Sequence, residues 1–208
     1  MSAALDPLRV KESPLTKFDV NYKTATFERL KESIFHLGCN VDPIKVRTVR
    51  IEGADGPAQY EIVFGHARLQ ACAELGLPVR SVVVDSMPDP DLVIQFITHV
   101  RFAVEWQPWR LGAVLDRALV HGLFSSLRRA AESLHVDTSE ASLLIKLARL
   151  PDPIRLAFRS AKMTPAVARR LIREHVEDPD GLLRRAEGLG DHGPGSATAM
   201  VKQLATRK

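Results

Sequence analysis

Residues 123–150, LFSSLRRAAESLHVDTSEASLLIKLARL, carry two short apolar-periodic runs on either side of His135-Val136-Asp137. The chemistry such a stretch offers is recognition of a polyanion, with arginines for phosphates and short polar side chains for base edges. The spacing predicts a first helix over 127–134, a tight turn at 135–137 and a second helix from Ser139, together a helix-turn-helix at 127–149. Ala131 is small where two crossed helices must approach, Val136 suits a plug between them, and Asp137 or Thr138 can N-cap the second helix. Ala141, Leu144, Ile145 and Ala148 form an inward stripe at helical spacing. Thr138, Ser139, Glu140, Ser142 and Lys146 are then left outward at the helix start, where a recognition helix meets base edges. Arg128 and Arg129 on the first helix, with Lys146, Arg149 and Arg155, are the candidates for phosphate contacts. His135 stands where a turn usually has glycine, because the backbone there needs positive φ. The bland alternative is an ordinary helical hairpin with a solvated, charged face.

The charge distribution favours the polyanion. The chain of 208 residues has a net charge of +4. Residues 1–109 hold 12 basic and 14 acidic residues, and residues 174–208 hold 5 and 6. Residues 110–173 hold 12 and 5. Neutralising phosphates releases counterions, and a concentrated basic segment suits that. No apolar run reaches the ~18 residues of a membrane span, and the first residues lack a secretory apolar segment. Cys39 and Cys72 stand far apart, with no CxxC and no histidine cluster at ligand spacing. Neither a disulfide framework nor a metal site is expected, and a cytoplasmic location is the default. No catalytic residue is assigned.

The elements that must position these residues follow in order. Residues 1–25, broken by Pro7 and Pro14, read as a flexible N-terminal arm. A helix is predicted over 26–37 and stopped by Gly38, then a strand over 44–51, a turn, and a second strand over 60–64 ending at Gly65. A helix over 67–75, closed by Gly76, and a third strand over 79–85 complete a small α/β domain at 26–90. Cys72 is read there as a small buried residue. The chain then turns helical: 91–104, 108–121, the helix-turn-helix, 154–160, 164–174 and a small helix at 179–187. Pro165 suits a first helical turn. A helical DNA-binding domain is therefore expected over 91–175, with a short helix and flexible tail over 176–208. The fold class is α+β.

Three of these segments resemble the ParB family of chromosome and plasmid partition proteins. Residues 30–47 (LKESIFHLGCNVDPIKVR), 62–74 (IVFGHARLQACAE) and 79–84 are similar to its N-terminal domain, a ParB/sulfiredoxin-like fold. Leu150-Pro151-Asp152-Pro153-Ile154 and the segment from Lys162 to Arg169 are similar to its DNA-binding core. The resemblance implies a homodimer that binds an inverted-repeat, centromere-like site in double-stranded DNA and works with a ParA-type ATPase. That role is plasmid partition or chromosome segregation, with nucleoid or plasmid association and a further part in transcriptional regulation. About 33 residues follow the last helix of the core, so the family's C-terminal dimerisation domain is not expected here.

The resemblance also implies CTP with magnesium at the family's G-E-R-R box. Gly65 ends a strand and opens a helix whose free N–H groups suit phosphate oxygens. Arg68 matches the box's second arginine and suits bidentate pairing. Asn40 and Arg47 lie on segments that would border the same pocket, and Arg101 matches the arginine of the family's E-N-x-x-R segment. His66 and Ala67 replace the box's glutamate and first arginine. The glutamate and asparagine of E-N-x-x-R are absent, so CTP hydrolysis is not expected to be productive. A sulfiredoxin activity is excluded because His66 stands where its nucleophilic cysteine would be. The other readings are a helical protein–protein adaptor, for which Trp106 and Trp109 would be anchors, and a degenerate nucleotide-binding switch.

Overall fold

The computed structural model describes residues 2–17, 22–49, 58–101, 108–158 and 164–189. The chain divides into two compact units, residues 1–102 and 103–208.

The first unit is built on a five-stranded mixed sheet. Its strands are β1 (Ser2–Leu5), β2 (Val10–Glu12), β3 (Ile44–Val49), β4 (Gln59–Phe64) and β5 (Val79–Val84), in the order β1-β5-β3-β4-β2. β3 runs antiparallel to β4 and parallel to β5, while β1 is antiparallel to β5 and β2 parallel to β4. The expected flexible arm is thus corrected: residues 2–12 supply both edges of the sheet. Pro7 starts a single 3-10 turn, Pro7–Arg9, between the two strands, and Asp6 caps it by accepting from the Leu8 N–H at 2.9 Å. Proline breaks a helix, but between two short edge strands it meets no ladder that needs its N–H.

α1 (Ala25–Leu37) starts at Thr24, whose hydroxyl accepts from the Phe27 N–H, and stops at Gly38 with φ 69°. α2 (His66–Leu75) follows β4 directly through Gly65 and stops at Gly76. Ile44, Val46, Ile62, Ala71, Cys72 and Val79 are fully buried between sheet and helices, with Phe27 and Ile34 closing the core. α3 (Asp89–Arg101) was expected to open the helical domain. Instead it belongs to the first unit, burying Leu92, Val93, Phe96 and Ile97 and packing on β4. The end of β3 beyond Val49 and of α3 beyond Arg101, as predicted, lie outside the described residues, as does Trp106.

The second unit is helical among its described residues: α4 (Pro108–Val120), α5 (Leu127–Ser133), α6 (Thr138–Ala148), α7 (Asp152–Ala157), α8 (Pro165–Glu177) and α9 (Pro179–Leu189). Its core joins Trp109, Leu147, Leu150, Ile154, Phe158, Leu171 and Leu182. α4 and α6 cross in backbone contact at Gly112, where a Cβ would sit 1.9 Å from the Leu144 carbonyl oxygen. Residues 159–163 and the part of the expected flexible tail from residue 190 onward are outside the described set. No helix among the described residues is long and apolar enough to cross a membrane.

Candidate functional site

Two groups of residues can be followed from sequence to geometry. The first is the α5–α6 pair. Ser126 caps α5, its hydroxyl accepting from the Arg129 N–H at 3.2 Å. Ala130 and Ala131 are buried, and the chain reverses as His135 adopts φ 53° and the Val136 N–H donates to the Ala131 carbonyl at 3.0 Å. A non-glycine residue in this left-handed region carries a strain of roughly 1–2 kcal/mol, held by the surrounding packing. Asp137 occupies the cap of α6 in an extended conformation, but its side chain makes no capping bond.

α6 buries Ala141, Leu144, Ile145 and Leu147, with Ala148 half-buried. Thr138, Ser139 and Lys146 are exposed on it, whereas Glu140 and Ser142 are half-buried. The arginines are less free than their spacing implied. Arg128 and Arg129 both pair with Glu132, at 2.9 and 3.3 Å, and they hold its carboxyl below the usual range, Arg128 chiefly. Arg149 makes a two-pronged pair with Asp116 of α4, at 2.8 and 3.1 Å, which raises its own pKa. Arg155 is tied to Asp152 and to the Ala148 carbonyl. These are exposed pairs, worth little to stability and readily exchanged for phosphate. Glu132 and Asp116 are the residues that sequence reasoning missed. Glu132 was legible as the i+4 neighbour of Arg128, but Asp116 was not, because only the α4–α6 crossing brings it to Arg149.

The second group surrounds the glycine turn. Gly65 has φ 103°, and a Cβ there would lie 2.6 Å from Ile44 Cγ2 and 2.9 Å from Ile44 Cβ. The glycine is thus required twice, by its backbone angle and by the close approach of β3. Arg68, on the second residue after His66, pairs with Asp42 at 2.9 Å. Asn40 is buried, and its amide group donates to the Asp42 and Arg80 carbonyls and accepts from the Arg80 N–H, all within 2.9 Å. Arg47 donates twice to Glu61 and once each to Asp89 and the Met87 carbonyl. Arg101 is the last residue of α3, and its side chain falls outside what the structure describes.

Gly65, His66 and Arg68 therefore share one turn, while the polar atoms of Asn40 and Arg47 are engaged inside the fold. As placed, Asn40 and Arg47 are held by partners of the fold, and their part in a nucleotide site is an expectation that CTP titration would test. Among the described residues of this set, Arg68 is the cation held by a largely exposed aspartate. Among the described residues, no group of three or more His, Cys, Asp or Glu side chains is arranged to hold a metal.

His66 is buried against Phe96, ring edge to ring face at 5.7 Å, and His99 stacks on Phe64 at 4.1 Å. Burial, helped by the charge of His99, pushes the His66 pKa down to about 4. Burial and then Arg68 lower that of His99 too. An unfolded histidine titrates near 6.5, so the unfolded state takes up the proton first. The first unit should keep its full stability above about pH 6.5 and lose up to about 3 kcal/mol of it as pH falls to 4. Denaturant midpoints measured at pH 7.5 and 4.5 should differ accordingly, and His66→Phe should remove most of that difference. Equal pH dependence in both proteins would show that His66 is not the responsible group.

With this geometry in view, residues 3–98 match the model of the ParB N-terminal domain. A Rhizobium rhizogenes protein provisionally named replication protein B is 41% identical over 58 residues, 23% of this chain and 19% of that protein. The chain thus matches about a fifth of the length of this curated relative. Among solved structures, the C-terminally truncated chromosome-partitioning protein ParB from Caulobacter crescentus complexed to the centromeric parS site is similar at a TM-score of 0.49. Its identity is 20%, over 91% of this chain and 97% of that one. The same protein complexed with CTP-gamma-S is similar at a TM-score of 0.38 and 17% identity, over 99% of each chain. The matched residues run from β1 into α3, so the first unit is what resembles the ParB N-terminal domain.

Proposed function

We propose that the chain is a sequence-specific DNA-binding protein of the ParB type, with α5 and α6 as its helix-turn-helix. The observation that carries this reading is the division of α6: one face is buried, and the other opens with Thr138 and Ser139 exposed and continues to Lys146. It lies in the segment where basic residues outnumber acidic ones by 12 to 5. Arg128, Arg129, Lys146 and Arg149 contact phosphates and set the register, whereas Thr138, Ser139, Glu140 and Ser142 face the bases. The target is an inverted repeat in double-stranded DNA, bound by a homodimer. The role is plasmid or chromosome partition beside a ParA-type ATPase, extending to transcriptional control.

The direct test selects bound fragments from the native replicon or genome and titrates the best site with and without CTP and magnesium. One short inverted repeat should be recovered. Arg128→Ala should weaken binding to specific and random DNA alike and reduce the salt slope by about 1. Ser142→Ala should instead change the preference among sequences, by about 1 kcal/mol at the contacted base pair. Equal losses on both kinds of DNA for both variants would refute the division of roles. No enrichment over random DNA at moderate salt would refute DNA binding itself.

A further inference from the structure

The chain has two cysteines, and the fold brings both to the place where α1 and α2 end. Cys72 lies in the last turn of α2, and Cys39 follows Gly38, the left-handed stop of α1. The two helices are tied to each other by Lys31 and Glu74 at 3.0 Å. Asn40 mediates between the thiols. It is buried, and its side-chain oxygen accepts from the Cys72 thiol at 3.8 Å and from the Arg80 N–H at 2.7 Å. Cys39 is the residue before it, one peptide unit or about 3.8 Å away between Cα atoms. Cys39 is half-buried, whereas Cys72 is closed to solvent.

Burial, and then the nearness of Cys39, hold the Cys72 thiol above its usual pKa. A buried thiol of this kind is inert towards solutes, so Cys39 is the sulfur that a dissolved oxidant meets first. The segment from Gly38 to Asp42 forms neither helix nor strand, and nothing lies within 4 Å of a Cβ built on Gly38. Cys39 therefore has room to close on Cys72 without disturbing the sheet. Loss of the Cys72 thiol hydrogen leaves no buried acceptor unsatisfied, because the Asn40 oxygen keeps its bond from Arg80.

We infer that Cys39 and Cys72 form a reversible disulfide, a redox-controlled clamp between the ends of α1 and α2. The clamp is independent of the DNA-binding reading above. Its oxidant is a small dissolved disulfide such as oxidised glutathione. The Cys39 thiolate, its proton given to water, attacks one glutathione sulfur and expels the other glutathione, which takes up a proton. Cys72 then attacks the Cys39 sulfur, and the second glutathione leaves with the Cys72 proton. Two protein thiols are oxidised to one disulfide, and one glutathione disulfide is reduced to two thiols. The new bond constrains the unfolded chain and pins the segment carrying Asp42, the partner of Arg68. Where the glutathione pool is reducing, both residues stay thiols.

The test equilibrates the folded full chain with graded mixtures of reduced and oxidised glutathione and blocks the remaining thiols with a maleimide. The products are read by mass and on a non-reducing gel. With two cysteines in the chain, a monomer that has lost both thiols and carries no glutathione holds the 39–72 bond. That product is expected, and dithiothreitol should reverse it. Its denaturant midpoint should lie above that of the reduced chain, with slower hydrogen exchange at the ends of α1 and α2. Cys72→Ala should stop at glutathione bound to Cys39, and Cys39→Ser should leave Cys72 unmodified. Glutathione accumulating on Cys39 beside a free Cys72 in the unaltered chain would overturn the clamp. So would a disulfide between two chains, two free thiols at the most oxidising ratio, or an oxidised monomer with a lowered midpoint.

Discussion

Gly112→Ala should destabilise the helical unit by about 3 kcal/mol, although alanine is the better helix former. Two effects of opposite sign compete. In an exposed helix interior the substitution would gain about 1 kcal/mol. At Gly112 the added Cβ would meet the Leu144 carbonyl oxygen at 1.9 Å, the Leu144 carbonyl carbon at 2.4 Å and the Ala148 Cβ at 3.0 Å. A side-chain neighbour could rotate away, but a backbone carbonyl inside α6 cannot. α4 and α6 must separate, opening the contacts of Leu111, Val114 and Leu115, all nearly inaccessible to solvent. The loss of that packing outweighs the propensity gain. Denaturant unfolding followed by the fluorescence of Trp109 should show a lower midpoint, and Gly112→Leu should prevent folding of the unit. DNA affinity should fall with stability, since α6 is the displaced element. An unaltered midpoint for Gly112→Ala would mean that the two helices are not in backbone contact.

The same residue illustrates where sequence reasoning reached its limit. Gly112 interrupts a helical pattern with nothing nearby in sequence to explain it. Its partner, Leu144, lies on the far side of two turns and a helix. The elements themselves were legible because their signals are local: Thr24 as a cap, Gly38 and Gly76 as stops, and alternation along Ile44-Lys45-Val46-Arg47. The α5–α6 pair was legible for the same reason, down to His135 at the left-handed position. β1 and β2 were not, because four and three residues are too few to show a period of two. α3 was legible as a helix but not as part of the first unit, since its apolar stripe does not say which core it enters.

The site residues divide along the same line. Positions set by chain geometry, such as Gly65 at a strand-to-helix turn, followed from local pattern. The partners of the charged residues were not legible, because packing chooses them. Arg149 meets Asp116 only after α4 and α6 cross, and Arg128 and Arg129 share one glutamate. A basic count of 12 identified the segment but not the pairing of its charges.

Arg47→Ala should destabilise the first unit by about 3 kcal/mol, marking this arginine as part of the fold rather than of a ligand site. Arg47 stands opposite Glu61 across β3 and β4, and both are mostly buried. Burial alone would lower its pKa, but the bonds to Glu61 and then Asp89 hold it above its ordinary value. The same guanidinium reaches the Met87 carbonyl and Asp89, so it ties the first turn of α3 to the sheet. Alanine would leave the Glu61 carboxylate in a poorly solvated place with no cation, which is the expensive way to break a buried pair. Removing both charges should be milder, so Arg47→Ala with Glu61→Gln should recover part of the loss. Hydrogen exchange of the β3, β4 and α3 amides reads this unit separately from the helical one. The expected result is faster exchange in all three elements for Arg47→Ala and partial recovery in the double variant. If exchange is unchanged while CTP affinity falls, Arg47 belongs to a nucleotide site and its pairing with Glu61 is dispensable to the fold.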